Sequence, residues 1–548
     1  MTAMRALVLA LGVLLVVLLL WVVIARFMHP VEAEWMTGAV RESVERVRRG
    51  QQIYVAPSAT FIPFVYTPVY VWISAAVARV TSVFVACKVV SLVATVATAW
   101  GIARLSSILG ATRFWSVVGA VLHVGTYSVT LFFFDLERVD ALGSAFVVLG
   151  LLTLLGGESS TLRAAIAGAI LGLAFFVKQP GLLAFGAAVA GLALAREKRR
   201  ALIVLASGGV IFALTLGYLE IKTGGWFRYY CFTLPRSHGI EPALVSTFFL
   251  VDIPKVFVLA AGSTAIAAPV AWSALRRRAA PEGTSWREVV FAAVVMAGMA
   301  GAFFLRAHRG GWTNVILAWT PLGCAAAAVA ASRMERLASA TVIARPVSLI
   351  LLGAVVLQLL GDAFDPNESS PSSADLRATD RFTALVRKLE NEGEVVVTTS
   401  GSVTRVPHFH AAALFDVLRA GDHAPADYLA GIRERRYAAI FARNPDEFTC
   451  ELDSCIELCT ATLKSYFVAA RLEERPKTGM IGFDGQPRWI LRPRKTPLGD
   501  LPRKALEQRM RQEMGIADMQ RLAAPHDAEV TVDDTIELRA STLAAGPE

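Results

Sequence analysis

The sequence predicts a mainly α polytopic membrane protein. It reads as about eleven transmembrane helices plus outer-face juxtamembrane helices, followed by a C-terminal α/β extracytoplasmic domain. Three observations carry this. The 548 residues are 55% hydrophobic and only 18% charged, with a mean hydropathy of +0.52, whereas a soluble chain carries about a quarter charged residues. The apolar excess is confined to residues 4–361, where long runs recur between short polar breaks. Beyond Asp362 charge density rises, and no run approaches the roughly 20 residues that a span needs.

The apolar runs lie at 4–27, 66–84, 85–103, 114–134, 139–156, 163–177, 180–195, 201–219, 250–275, 288–305, 312–332 and 342–361. The first lacks a small-residue cleavage site and suits a retained signal anchor better than a signal peptide. If all twelve cross, with Met1 inside, the clusters "REKRR" (196–200), "RRR" (276–278) and "RMER" (333–336) fall outside. The run 66–84 begins Tyr-Thr-Pro and carries Arg79. Laying it on the outer face leaves eleven spans and puts every large basic cluster inside, as the positive-inside rule requires. Segments 28–84, 134–140, 178–180, 220–250 and 306–311 are then outside, with everything after Asp362. This expects a multi-pass protein of the cell inner (plasma) membrane. The net charge of +9 is spread over these anchors and forms no contiguous basic face for nucleic acid.

Domain boundaries follow: a membrane domain over 1–361, a linker over 362–375, an extracytoplasmic domain over 376–495 and a charged, partly disordered tail over 496–548. Within 376–495, "GEVVVTTS", "YAAIFARN" and "RWILRPR" read as strands among helical segments, a βα alternation. One helix is expected near 500–523. Cys450, Cys455 and Cys459 fall within ten residues, and outside the cell a disulfide between two of them is favoured over a zinc site.

Polar residues that could carry chemistry collect on the outer face. The loop "DLERVD" places Asp135, Glu137, Arg138 and Asp140 between two apolar runs, either as a solvated loop or paired within a cleft. Glu32 and Glu34 follow the first span, ahead of a helix over 34–49 that ends at Gly50. A carboxylate there could be a general base towards an acceptor or a helix cap. Lys178 ends a span before Pro180, where it can bind phosphate as a point charge. The loop 222–240 mixes aromatic residues with Arg228, Arg236 and His238, and "RAHRGGWTN" offers Arg306, His308, Arg309 and Asn314.

The order of "EAEW", "VYTPVY", "RVDALGSAF" and "FFVKQPG" resembles the GT-C superfamily of integral-membrane glycosyltransferases, relatives of protein O-mannosyltransferase and the lipid A aminoarabinose transferase. The likeness covers about 30–361. It departs at the first acid, where Glu32-Ala33-Glu34 stands for an Asp-Glu pair. The resemblance implies a GT-C-like fold and transfer of a sugar from a polyprenyl-phosphate donor to an unknown lipid, glycan or protein acceptor. Glu34, or Glu32, would be the base, and Asp135, Arg138 and Asp140 would shape the cleft. Lys178, Tyr66, Arg228, Arg236, His238, Arg306 and Asn314 would bind substrate. No DxD-type metal motif of the soluble transferases is read, which leaves a divalent metal open. Glu34 and the "DLERVD" loop are expected to face one cleft. The rival readings are a transporter or flippase of lipid-linked sugars and a non-catalytic envelope assembly protein.

Overall fold

A computed structural model describes the chain except for residues 158–159, 276–284, 340, 400–402, 444–452, 473–486 and 524–548. Its residues divide into two compact units. The first comprises 1–24, 66–225 and 238–369, and the second 25–65, 226–237 and 370–548.

The first unit is a helical bundle. Each expected span contains a helix: Thr2–Met28, Val83–Ile108, Arg113–Val129, Val139–Leu155, Thr161–Val177, Gly181–Leu194, Lys198–Thr223, Phe257–Leu275, Trp286–Ala307, Thr320–Ala338 and Ala344–Gly361. Hydroxyl caps start several of them: Ser82 accepts from Val85 N–H at 3.2 Å, and Ser160 accepts from Arg163 N–H at 3.1 Å. Among the described residues, five helices are long and apolar enough to cross a membrane, or six if the pair bent by 98° at 255–257 is one span. The expected count of eleven therefore exceeds what length and hydropathy alone support, because helices such as Val139–Leu155 are 17 residues long, about 26 Å. The segment 66–84, expected on the membrane face, holds the nine-residue helix Val69–Val77 and ends in the first residues of Val83–Ile108.

Small residues let these helices approach closely. A Cβ on Gly172 would lie 2.5 Å from the Gly208 carbonyl oxygen, so Thr161–Val177 and Lys198–Thr223 meet backbone to backbone. At one end of the bundle Glu335 receives Arg5 at 2.7 Å, the Trp115 indole N–H at 2.8 Å and the Ser348 hydroxyl at 3.0 Å. Arg333 pairs with Glu288 at the same end. Since consecutive helices alternate, Asp140 and Lys178 mark the other end.

The second unit carries a four-stranded sheet: β1 (Glu394–Val397), β2 (Tyr437–Ala442), β3 (Tyr466–Arg471) and β4 (Trp489–Pro493), in the order β1-β2-β4-β3. β1 and β2 are parallel, and β4 runs antiparallel to both β2 and β3. Phe382, Val386 and Leu389 of helix Ser373–Glu390 pack on Val395, Val397, Phe441 and Ile490. This helix starts inside the stretch read as a linker, because Ser372 and Asp375 form a capping box. β3 was not read from the sequence: "YFVAAR" is buried on both faces up to Arg471 and shows no alternation. Helix Arg503–Ala523 occupies the expected position. Its Glu513 pairs with Arg494 at 2.8 Å, both about 1% exposed, and also accepts Val468 N–H at 3.2 Å. In the same unit, Thr37–Arg48 forms the expected first-loop helix, and Gly50 closes it at φ +77°. Cys450 lies outside the described residues; Cys455 and Cys459 are buried.

Candidate functional site

In the first unit the "DLERVD" charges turn inward: Asp135, Glu137, Arg138 and Asp140 are each at most 5% exposed. A solvated loop is therefore excluded. The chain enters this loop through Leu131 and Phe132, both left-handed at φ 57° and 58°. For non-glycine residues that costs about 1–2 kcal/mol each. Their N–H groups bond Ser128 and Tyr127 carbonyls at 3.0 and 2.8 Å, and Phe132 packs edge-on against Tyr127 and Phe364. Beyond the turn, the hydroxyls of Thr95 and Ser91 donate to the Phe134 and Leu136 carbonyls at 2.8 and 2.6 Å. Helix Val83–Ile108 thus holds the loop in register.

The loop's charges separate into two groups. Asp135 and Glu137 face the buried Lys88 at 3.8 and 3.6 Å, and Asp135 accepts the Tyr127 hydroxyl at 2.7 Å. Asp140 faces the other way. It receives Lys178 at 2.6 Å and the Asn314 amide at 3.0 Å, with Arg138 at 4.0 Å. Arg138 in turn donates to the Tyr66 hydroxyl and lies over the Tyr66 and Phe133 rings, 5.0 and 5.5 Å from their centroids. Lys88 thus serves two carboxylates, and Asp140 is reached by two cations.

Asp140 and Lys178 border a pocket whose other walls are small or apolar, among them Gly143, Ser144, Val147, Gly298, Gly301 and Leu317. Ser144 donates to the Leu317 carbonyl at 3.0 Å and ties the wall to the 313–318 turn that presents Asn314. A Cβ on Gly143 would stand 3.1 Å from Lys178 Cβ, so glycine there is what lets the lysine approach.

Five predicted residues, Tyr66, Arg138, Asp140, Lys178 and Asn314, thus converge. Arg306 is buried elsewhere in this unit: it pairs with Asp252 at 2.7 Å and donates to the Gly311 carbonyl at 2.6 Å, bracing the turn ahead of Asn314. His238 lies with its ring centroid 5.4 Å from that of His308. Glu32, Glu34, Arg228 and Arg236 belong to the second unit. There Glu32 receives Arg41 at 3.3 Å, and the Glu34 carboxylate receives the Met36 N–H at 3.1 Å. Both acids are buried, whereas both arginines are exposed. Lys88, Tyr127 and Asp252 were missed. A lysine within the run 85–103 was the available signal, since an ionisable group inside a span seeks a partner. Among the described residues no group of three or more His, Cys, Asp or Glu side chains is arranged to hold a metal ion.

No family model matches the sequence, and no curated protein matches it. Solved structures do. ArnT from Cupriavidus metallidurans bound to undecaprenyl phosphate aligns with a TM-score of 0.54 at 12% identity, over 89% of this chain and 97% of that one. The apo state of the same protein aligns with a TM-score of 0.54 at 14% identity, over 88% and 97%. The oligosaccharyltransferase of Archaeoglobus fulgidus aligns with a TM-score of 0.48 at 12% identity, over 86% and 73%. At such identities the likeness speaks for fold alone: the chain resembles the GT-C glycosyltransferases and has their fold.

Proposed function

We propose that the chain is a membrane glycosyltransferase that moves a sugar from a polyprenyl-phosphate-linked donor to an acceptor on the outer face of the membrane. The observation that carries this reading is the meeting of two cations at Asp140. Lys178 and Arg138 both reach this buried carboxylate, beside a largely apolar pocket that Asp140 and Lys178 border. A lipid phosphate has the complementary make-up, an anionic head on an apolar tail. The likeness to ArnT bound to undecaprenyl phosphate supports that lipid class.

In the transfer, an acceptor oxygen or nitrogen attacks the anomeric carbon of the sugar. The bond from that carbon to the phosphate oxygen breaks, and its electron pair leaves with the lipid phosphate. Negative charge grows on that oxygen, where Lys178 and Arg138 offset it. Asp140, itself held by the Asn314 amide, keeps the lysine in place, and Tyr66 holds the arginine. The acceptor's proton goes to a carboxylate, for which Glu34 is the proposed base and Glu32 the alternative. Asp135 supports the loop, and Arg228, Arg236, His238 and Arg306 stay assigned to substrate binding or to bracing it. We assign the outer face and an extracytoplasmic second unit on charge sidedness.

The test is to incubate the purified, lipid-reconstituted protein with polyprenyl phosphates carrying radiolabelled sugars and an envelope extract as acceptor. Label should move out of the donor, and bare polyprenyl phosphate should compete. Neither transfer nor competition with any such donor would sink the reading.

A further inference from the structure

We propose that His410 is a positioning residue for Glu34, acting through a single peptide group. This rests on the reading of Glu34 as the base. His410 stands immediately before helix Ala411–Arg419 and is 5% exposed. Its Nδ1 accepts the Ala412 backbone N–H at 3.1 Å, so Nδ1 carries a lone pair there. A neutral imidazole keeps its one N–H on the other nitrogen. That nitrogen, Nε2, lies 2.9 Å from the Trp35 carbonyl oxygen and donates to it. The helix cap therefore selects the tautomer that can hold Trp35. Ring packing reinforces the hold: the imidazole meets Trp35 edge-on at 4.9 Å between centroids and Phe64 at 5.5 Å.

The Trp35 carbonyl and the Met36 N–H are the two ends of one planar peptide group. His410 grips its oxygen end. The Glu34 carboxylate grips its nitrogen end, accepting Met36 N–H at 3.1 Å. The Glu34 carbonyl is fixed separately by the Thr37 hydroxyl at 2.7 Å and the Thr37 N–H at 3.0 Å. Rotation of the 35–36 peptide plane would swing the N–H on which the carboxylate rests. With the neighbouring Glu34–Thr37 contacts in place, His410 resists that rotation from outside the turn. A side chain 375 positions along the chain thereby sets the direction of the Glu34 carboxylate. Such an arrangement matters for a base, because misplacement by about 1 Å can cost up to roughly a hundredfold in rate.

The test uses the full-length reconstituted protein with His410→Ala, His410→Gln and each of these combined with Glu34→Gln. Amide exchange at Met36 and Thr37 should quicken in His410→Ala, while the amides of β2 keep their protection. Glutamine, whose amide can donate to Trp35, should restore most of the loss. In the transfer assay His410→Ala should lower kcat roughly tenfold and leave the donor KM unchanged. On the Glu34→Gln background it should cost nothing further. Unchanged Met36 exchange in His410→Ala overturns the proposal, as does an equal loss of rate on both backgrounds. If no variant, wild type included, transfers sugar, the glycosyltransferase reading fails, and the exchange data still decide whether His410 fixes the turn.

Discussion

Lys178 donates to Asp140 at 2.6 Å across two neighbouring helices. Lys178 directly follows the last turn of Thr161–Val177, and Asp140 sits in the first turn of Val139–Leu155. That position is favourable for a carboxylate, since the first turn of a helix presents unpaired N–H groups. The contact also joins two loops, and Asn314 brings in a third at 3.0 Å. In the proposed reaction this joint presents the positive charge to a lipid phosphate. Lys178→Ala should raise the donor KM at least tenfold, and Asp140→Asn should do so by less. Gly143→Ala, which pushes on the lysine stem, should raise it a few-fold, and equilibrium binding of bare polyprenyl phosphate should follow the same order. Equal affinity in all three variants would remove the pair from donor binding.

Glu34→Gln should lower kcat about a hundredfold, the usual contribution of general base catalysis. Glu32 is tied to Arg41 at 3.3 Å, so Glu32→Gln should act more weakly and through stability. If Glu34→Gln transfers at the wild-type rate while Glu32→Gln is inert, the two roles are exchanged.

Lys88 offers a stability test in the other half of the loop. The residue is 1% exposed, and its ammonium serves both Asp135 and Glu137. Removing the cation in Lys88→Met takes away the ammonium that both buried carboxylates share, which should cost about 3–5 kcal/mol. Asp135→Asn with Glu137→Gln on that background should restore much of the loss. Thermal unfolding in detergent reads both. A Lys88→Met variant as stable as wild type would mean the carboxylates find another counter-charge.

What the sequence disclosed and what it hid have physical causes. Long apolar runs announce helices whatever their partners, so every expected span holds one. A run's ends are less legible: at 250–275 the chain bends by 98°, and hydropathy does not register a bend. Asp140, Lys178 and Asn314 stood out as charges and amides at span ends on one side. Their convergence was an expectation of sidedness, which topology supplies. Lys88 was hidden because one lysine barely lowers the hydropathy of its run. The positions of Leu131 and Phe132 in left-handed backbone were hidden too, since neither residue type signals such a turn. β3 lacked alternation because both its faces are covered. The role of His410 depends on a contact 375 residues away, and no local pattern encodes that.

Sidedness has its own test. Glu335 gathers Arg5, Trp115 and Ser348 at one helix end, and Arg333 and Arg336 lie at that end as well. Basic anchors belong on the cytoplasmic side, so the proposed orientation has Asp140 and Lys178 outside. A phosphatase fused after Arg494 should be active, and a fluorescent protein fused there should stay dark. The reverse pattern would shift the crossing number by one and move the proposed donor site to the cytoplasm.

The second unit predicts a particular pH response. Burial pushes the Glu513 carboxyl above its usual value of 4.5, even though Arg494 and Arg509 pull it down. In the unfolded chain Glu513 releases its proton near 4.5, whereas in the folded protein it holds the proton to higher pH. The folded state therefore binds more protons across that window. Stability should fall as pH climbs from 4.5 through the raised value, then level off. Glu513→Gln keeps the shape but cannot ionise, so its unfolding midpoint should lack this component of the slope. Arg494→Met removes the closest cation, 2.8 Å away. It should destabilise most at neutral pH, by about 3–5 kcal/mol, and least in acid, where the carboxyl is neutral. Thermal midpoints of the three proteins over a pH series decide this. An Arg494→Met penalty that is the same at every pH would show that the carboxyl is ionised throughout and that the guanidinium, not burial, governs it.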